Sequence, residues 1–116
     1  MPIRLKRAYE APDVQDGCRV LVDRLWPRGV RKEGAKIDLW LRDIAPGDEL
    51  RKWFDHDPEK WEEFKRRYFA ELDNKPEWVT ELRKKVEEGR LTLVYAAREA
   101  RCNNAAALKE YLEGSG

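Results

Sequence analysis

Cys18-Arg19-Val20-Leu21-Val22-Asp23-Arg24-Leu25-Trp26-Pro27-Arg28-Gly29 is the stretch on which the fold turns. Residues 18–23 are a short run rich in valine and leucine, the best central-strand candidate in the chain. Pro27 lacks the N–H that a strand ladder needs and Gly29 favours a turn, so the strand stops by Trp26-Pro27-Arg28-Gly29. A partner lies far along the chain. Leu91-Thr92-Leu93-Val94-Tyr95 reads as a second buried strand, followed by the polar loop Ala96 to Asn104. As parallel neighbours in one sheet, the two strands bring loops 24–29 and 96–103 out on the same edge, where α/β proteins form their ligand crevice.

Outward from these strands, residues 2–8 alternate apolar and basic side chains, the period of a half-buried strand near a sheet edge. Residues 37–41 suit either a strand or an extended loop that carries Trp40 inward. Asp48 and Glu49 open a short helix running to about Phe54. Asp57-Pro58 is an N-cap followed by proline, a helix start. Trp61, Phe64, Tyr68 and Leu72 then recur at helical steps, as do Trp78, Val79, Leu82 and Val86. Asn74 with Glu77 resembles a capping box, and Gly89 is expected to close its helix in the left-handed conformation. Ala105, Leu108, Tyr111 and Leu112 mark a terminal amphipathic helix. The expected class is therefore α/β: one domain over residues 1–113, with a small, at least partly parallel sheet covered by helices. Residues 114–116 read as a flexible tail.

Composition narrows the function classes. At 116 residues the chain suits one domain, and with 41% hydrophobic residues it has the means to build a core rather than remain disordered. Lysine and arginine number 24 against 23 acidic residues, so the charge is too balanced for a general polyanion-binding surface. Residues 1–31 hold seven basic and four acidic side chains and the remainder 17 and 19, a mild asymmetry that suits one basic face, but an excess of +3 is poor for a protein that must neutralise several phosphates. No apolar run reaches the roughly 18 residues of a membrane span, and Met1-Pro2-Ile3 leads directly into a charged strand, so a cytoplasmic location is expected. Ser115 is the only serine and His56 the only histidine, which excludes a serine–histidine hydrolase. No cofactor is called for. Cys18 and Cys102 are too few for a metal tetrad, and no metal is expected.

Several segments together resemble a known family. Arg19 to Gly29, Asp38-Leu39-Trp40, Glu49 to Phe54 with Asp57-Pro58, Trp61 to Leu72, Leu91 to Tyr95 and the closing Asn-Asn-Ala run are similar to the YeaO-like branch of the domain of unknown function family 488. The likeness covers nearly the whole chain, from about Ile3 to Leu112. It implies a small, soluble bacterial or archaeal α/β protein, and it implies no reaction. Some relatives carry a uroporphyrin-III methyltransferase label. This chain lacks a glycine-rich turn after its first strand and is too short for those two-lobed enzymes. Family members usually carry tyrosine at the position of Cys18 and Asn-His-Ala where Asn103-Asn104-Ala105 stands here, a departure that argues against general-base chemistry being required at the second loop.

The candidate site follows from the two loops. Arg24 and Arg28 flank Trp26, offering guanidinium forks for phosphate or carboxylate beside an indole surface. Asp23 is placed to orient an arginine; equally, it pairs with one while Trp26-Pro27 packs as a rigid corner. Arg98 and Arg101 precede the last helix, whose amino end is itself anion-friendly, and Asn103 or Asn104 is its natural cap. Tyr95 either points its hydroxyl into the crevice or finishes the core. His56 reads as a turn residue and Cys102 as an incidental thiol. The expected function is binding of a small anionic ligand between loops 23–29 and 96–104. The alternatives are a nucleic-acid or regulatory-complex module and a structural or stress-related interaction protein without an active site. Whether any reaction follows binding is left open.

Overall fold

A computed structural model of the protein describes residues 3–114. Four strands form one sheet: β1 (Ile3–Arg7), β2 (Cys18–Leu21), β3 (Leu39–Trp40) and β4 (Leu91–Tyr95), in the order β1-β4-β2-β3. Every pairing is parallel. β1 is an edge strand, as its alternating pattern predicts, while β4 is buried at all five residues. β2 and β4 are neighbours in the register Val20↔Leu93 and Leu21↔Val94. Both strands therefore end on the same edge.

The helices are α1 (Lys32–Ala35), α2 (Asp48–Phe54), α3 (Trp61–Asp73), α4 (Pro76–Glu88) and α5 (Asn104–Gly114). The last of these contains Gly114, so the expected tail lies in part within a helix; Ser115 and Gly116 fall outside the described residues. Side chains alternate across a strand, and the two faces of this sheet meet different cover. Val20, Leu91 and Leu93 pack with Leu50 and Phe54 of α2, Phe64, Tyr68 and Leu72 of α3, Leu82 of α4 and Leu108 of α5. The opposite face presents Leu21 and Val94, covered by Trp26, Val30 and Ile37 from the segment between β2 and β3 and by Trp40 of β3 itself. The long helices thus cover one face only. A loop covers the other, because Trp26 and Trp40 supply enough apolar area there without a long helix.

Two expected details differ. Asn74 does not open α4: its amide donates to the Ala70 carbonyl of the preceding helix, and Pro76, at the first position of α4, sets the start instead. Gly89 closes α4 in an extended conformation (φ 159°, ψ −153°) rather than a left-handed one, since β4 begins two residues later and the chain is already straightening. Asp57 does cap, accepting the Glu59 N–H, although one 3-10 turn (Pro58–Lys60) precedes α3. The ambiguous residues 37–41 supply β3, and Trp40 turns onto the loop-covered face.

That face also holds a buried carboxylate. Asp16 has no exposed surface, and its side chain accepts from Arg19 Nη1 at 2.6 Å, Lys6 Nζ at 3.1 Å and the Asp13 N–H at 3.0 Å. Its carbonyl accepts the Thr92 hydroxyl at 2.7 Å, so one residue ties β1, β2 and β4 together. Burial alone pushes this carboxyl upward, but the Asp13 N–H, Lys6 and Arg19 outweigh it and hold it below the ordinary value. Next to it, Gly17 has a φ of 65°, and a Cβ there would stand 2.4 Å from the Arg90 carbonyl oxygen.

Asp16→Asn leaves Arg19 buried beside a neutral amide and is expected to cost roughly 3–5 kcal/mol at neutral pH in urea denaturation. A carboxyl lowered in the folded state stabilises above its unfolded value, and that stabilisation fades as pH falls through the lowered one. The deficit of the variant should therefore shrink below about pH 4. A deficit that stays constant down to pH 2 contradicts the assignment.

Candidate functional site

Beyond the carboxyl ends of β2 and β4 the chain forms a cleft of about 1000 Å³. Its walls come from the loop after β2, the turn after β4 with the start of α5, and the polar side of α2. The α2 contribution is a matter of helical spacing: Leu50 and Phe54 go to the core, where Phe54 also borders the cleft, which leaves Asp48, Arg51 and Lys52 on the other side, with Asp55 following as the helix cap. Asp55 and His56 follow in consecutive left-handed conformations (φ 46° and 57°), and both line the cleft.

One carboxylate joins the two loops. Asp23 accepts the Ala96 N–H at 2.9 Å and the Asn104 amide at 3.0 Å, while that amide also reaches the Val22 carbonyl at 3.1 Å. Asp23 does not orient an arginine. The register places it two residues past Leu21, level with Ala96 two residues past Val94, so backbone reaches its carboxylate first. Burial raises the Asp23 carboxyl above its ordinary value, and the bonds from Asn104 and Ala96 only partly offset that rise.

The other expected residues divide into two groups. Asp23, Arg24, Trp26, Arg28, Asn103 and Asn104 line the cleft together. Tyr95, Arg98 and Arg101 do not. Tyr95 is 4% exposed and finishes the core. Arg98 and Arg101 are exposed on a loop folded on itself, in which Glu99 accepts the Arg101 N–H and the Asn103 amide reaches the Glu99 carbonyl. Asn103 caps α5, its side-chain oxygen accepting the Ala106 N–H at 2.8 Å. Trp26 is both corner and wall: its indole N–H donates to the Val30 carbonyl at 2.7 Å, and its ring meets Trp40 edge-on at 5.5 Å.

Charge in the cleft is shared unevenly. Arg24 Nε lies 3.7 Å and Arg51 Nη2 3.5 Å from the same Asp48 carboxylate oxygen. Arg28 and Lys52 have no acidic partner among the described residues. Arg51, Lys52, Asp48 and His56 were not picked out as site residues by sequence. Helical spacing marks Asp48, Arg51 and Lys52 as a polar face, but nothing local says that this face, or His56 beyond it, meets the loop after β2. Among the described residues no group of histidine, cysteine and acidic side chains could hold a metal. Burial and the Glu99 carboxylate push the Cys102 thiol upward, away from the reactive range.

Comparison with known proteins places the chain. Residues 2–115 match the family described as the inactive DUF488-N3 subclade. The chain belongs to this family. Over 112 residues, 97% of its length, it is 43% identical to the uncharacterized protein Rv3073c of Mycobacterium tuberculosis strain H37Rv, covering 94% of that protein. It is 38% identical to the uncharacterized protein YeaO of Escherichia coli K12, with 97% of each chain covered. No solved structure matches it. The family is thus the one that the Arg19–Gly29 block resembles. No helix among the described residues is long and apolar enough to cross a membrane.

Asn104→Ala removes a donor from Asp23 and from the Val22 carbonyl, at an expected cost of roughly 1–3 kcal/mol. It should also move the Asp23 carboxyl still higher, because the lost bond favoured the charged form. A carboxyl raised by folding stabilises most below its unfolded value and loses that contribution as pH rises through the folded one. The deficit of the variant is therefore larger at pH 7 than at pH 3. Carboxyl-carbon titration by NMR checks the shift; an unmoved or lowered Asp23 contradicts the bridge.

Proposed function

We propose that this member of the inactive DUF488-N3 subclade binds a small anionic ligand, a phosphate- or carboxylate-bearing molecule, in the cleft between loops 23–29 and 96–104. The observation that carries this reading is the distribution of charge. Four cations (Arg24, Arg28, Arg51, Lys52) line the cleft against three carboxylates (Asp23, Asp48, Asp55). One of those carboxylates is shared by two arginines, and another is occupied by Ala96 and Asn104. Arg28 and Lys52 are left for a ligand. A guanidinium fork pairs with phosphate or carboxylate in two parallel bonds, and partial shielding in a cleft strengthens such contacts.

Binding fits better than turnover. The family is described as inactive. Asn104 stands where the resemblance leads one to expect histidine, and an amide does not act as a base at neutral pH. The amide is in any case committed to Asp23 and Val22. The same reading places the protein in the cytoplasm, where the free thiols of Cys18 and Cys102 stay reduced. Nucleic acid is a poorer partner, because the overall charge is only +1.

Calorimetry with inorganic phosphate and small carboxylates tests the reading. Arg28→Lys keeps the charge and loses the fork, so it should weaken binding measurably. Arg28→Ala should weaken it by about 10- to 150-fold, the loss of one charge-assisted contact of ~1.5–3 kcal/mol. Arg28 is exposed, so neither change should lower the melting temperature appreciably. Cys102→Ala should leave binding unchanged. Absence of heat for the wild type, or unfolding of both Arg28 variants, overturns the proposal in favour of a purely structural role.

A further inference from the structure

One bank of the cleft sets carbon surface beside its cations, and with the cleft read as an anion site that pairing identifies the ligand class. On the strand side, the polar ends of the aromatic groups are already spent within the protein. The Trp26 indole N–H goes to the Val30 carbonyl, and the Tyr9 hydroxyl donates to the Arg28 carbonyl at 3.0 Å. What these two rings offer a ligand is carbon surface. Their positions are held as well, Trp26 by Trp40 and Tyr9 by the Arg7 guanidinium, 5.0 Å from its ring centre. Leu25 lies between Arg24 and Trp26 on the same bank and is 75% exposed, an isolated leucine left in water beside two fixed aromatic rings. The α2 bank carries Arg51 and Lys52 together with Asp48 and Asp55, and the strand-side bank sets Arg24 and Arg28 beside its carbon surface.

Size points the same way. At about 1000 Å³ the cleft stands at the top of the range for small-molecule sites, roughly 300–1,000 Å³. A bare phosphate or a short carboxylate would engage the cations and leave Trp26, Tyr9 and Leu25 facing water. We propose that the ligand is a mononucleotide, its base laid against Trp26, Tyr9 and Leu25 and its phosphate held by Arg28 and Lys52. This rests on the anion-binding reading above. A phosphate monoester fits better than an aromatic carboxylate, since its second negative charge answers two cations that have no acidic partner of their own among the described residues.

Calorimetry on the wild-type protein separates this proposal from the reading beneath it. AMP, GMP, CMP and UMP are compared with ribose 5-phosphate, inorganic phosphate and phenylacetate. At least one mononucleotide should bind about tenfold or more tighter than ribose 5-phosphate, the increment expected of a stacked base. Leu25→Glu, a change at an exposed position, should erase most of that increment while ribose 5-phosphate binding falls less. Trp26→Ala should do the same where the variant folds. If ribose 5-phosphate binds as tightly as every mononucleotide, the mononucleotide proposal fails and anion binding stands. If phenylacetate binds as tightly as the best nucleotide, the phosphate ester is overturned. If no probe binds, both readings fail.

Discussion

The parallel register between β2 and β4 is the constraint on which the rest of this structure depends. Leu21 beside Val94 makes Asp23 and Ala96 level beyond the strand ends, and only that alignment lets one carboxylate accept a backbone N–H from one loop and an amide from the start of α5. A slip of β2 by one residue would turn Leu21 toward the helices and carry Trp26 away from the face it covers. The opposite end of the sheet guards the same register. Asp16, fully buried, is held by Lys6 of β1 and Arg19 of β2, and its carbonyl takes the hydroxyl of Thr92 in β4. Gly17, the next residue, passes so close to the Arg90 backbone that no side chain fits. Ion pairs of this burial gain little over apolar packing, but they penalise misalignment severely, which suits a sheet whose β3 is only two residues long.

Packing and the candidate site are joined through the same residues. Trp26 closes the loop-covered face of the sheet with Trp40 and also forms a wall of the cleft. The loop carrying Arg24 and Arg28 is therefore anchored at its centre by core packing, and its outer part leans on the turn after β1 through the Tyr9 hydroxyl. On the far side, Phe54 packs under α2 while Asp48, Arg51 and Lys52 face the cleft. Binding groups mounted on such anchored elements need less ordering when a ligand arrives, which favours affinity.

Much of this was legible in the sequence, and the reasons for the rest are physical. Valine- and leucine-rich runs bounded by Pro27 and Gly89 identify β2 and β4, and the steps between Phe64, Tyr68 and Leu72 identify α3, because burial imposes a period that composition records. Convergence of the two loops followed from the α/β pattern alone. Residues such as Asp23 were placed correctly and given the wrong partner, since a backbone N–H leaves no mark in the side-chain sequence. Arg98 and Arg101 looked equivalent to Arg28 by type and by loop, yet the loop folds back through Glu99 and holds them outside the cleft lining. Arg51 and Lys52 were missed for the converse reason: their face is evident, but what it faces is set by how α2 docks on α3 and the sheet. Capping at Asn74 failed because Pro76 decided the helix start more strongly than a nearby acceptor could.

The most direct test of the central claim is a phosphate titration of the isotope-labelled protein followed through its backbone amide resonances. If the paired strand ends build the binding cleft, the concentration-dependent shifts should fall on residues 24–29, on Ala96, Ala97 and Asn104, and on residues 51–56, three segments far apart in sequence that move with one dissociation constant. Shifts confined to the Asp16 and Arg19 end of the sheet, or scattered over lysines and arginines without saturation, would contradict it.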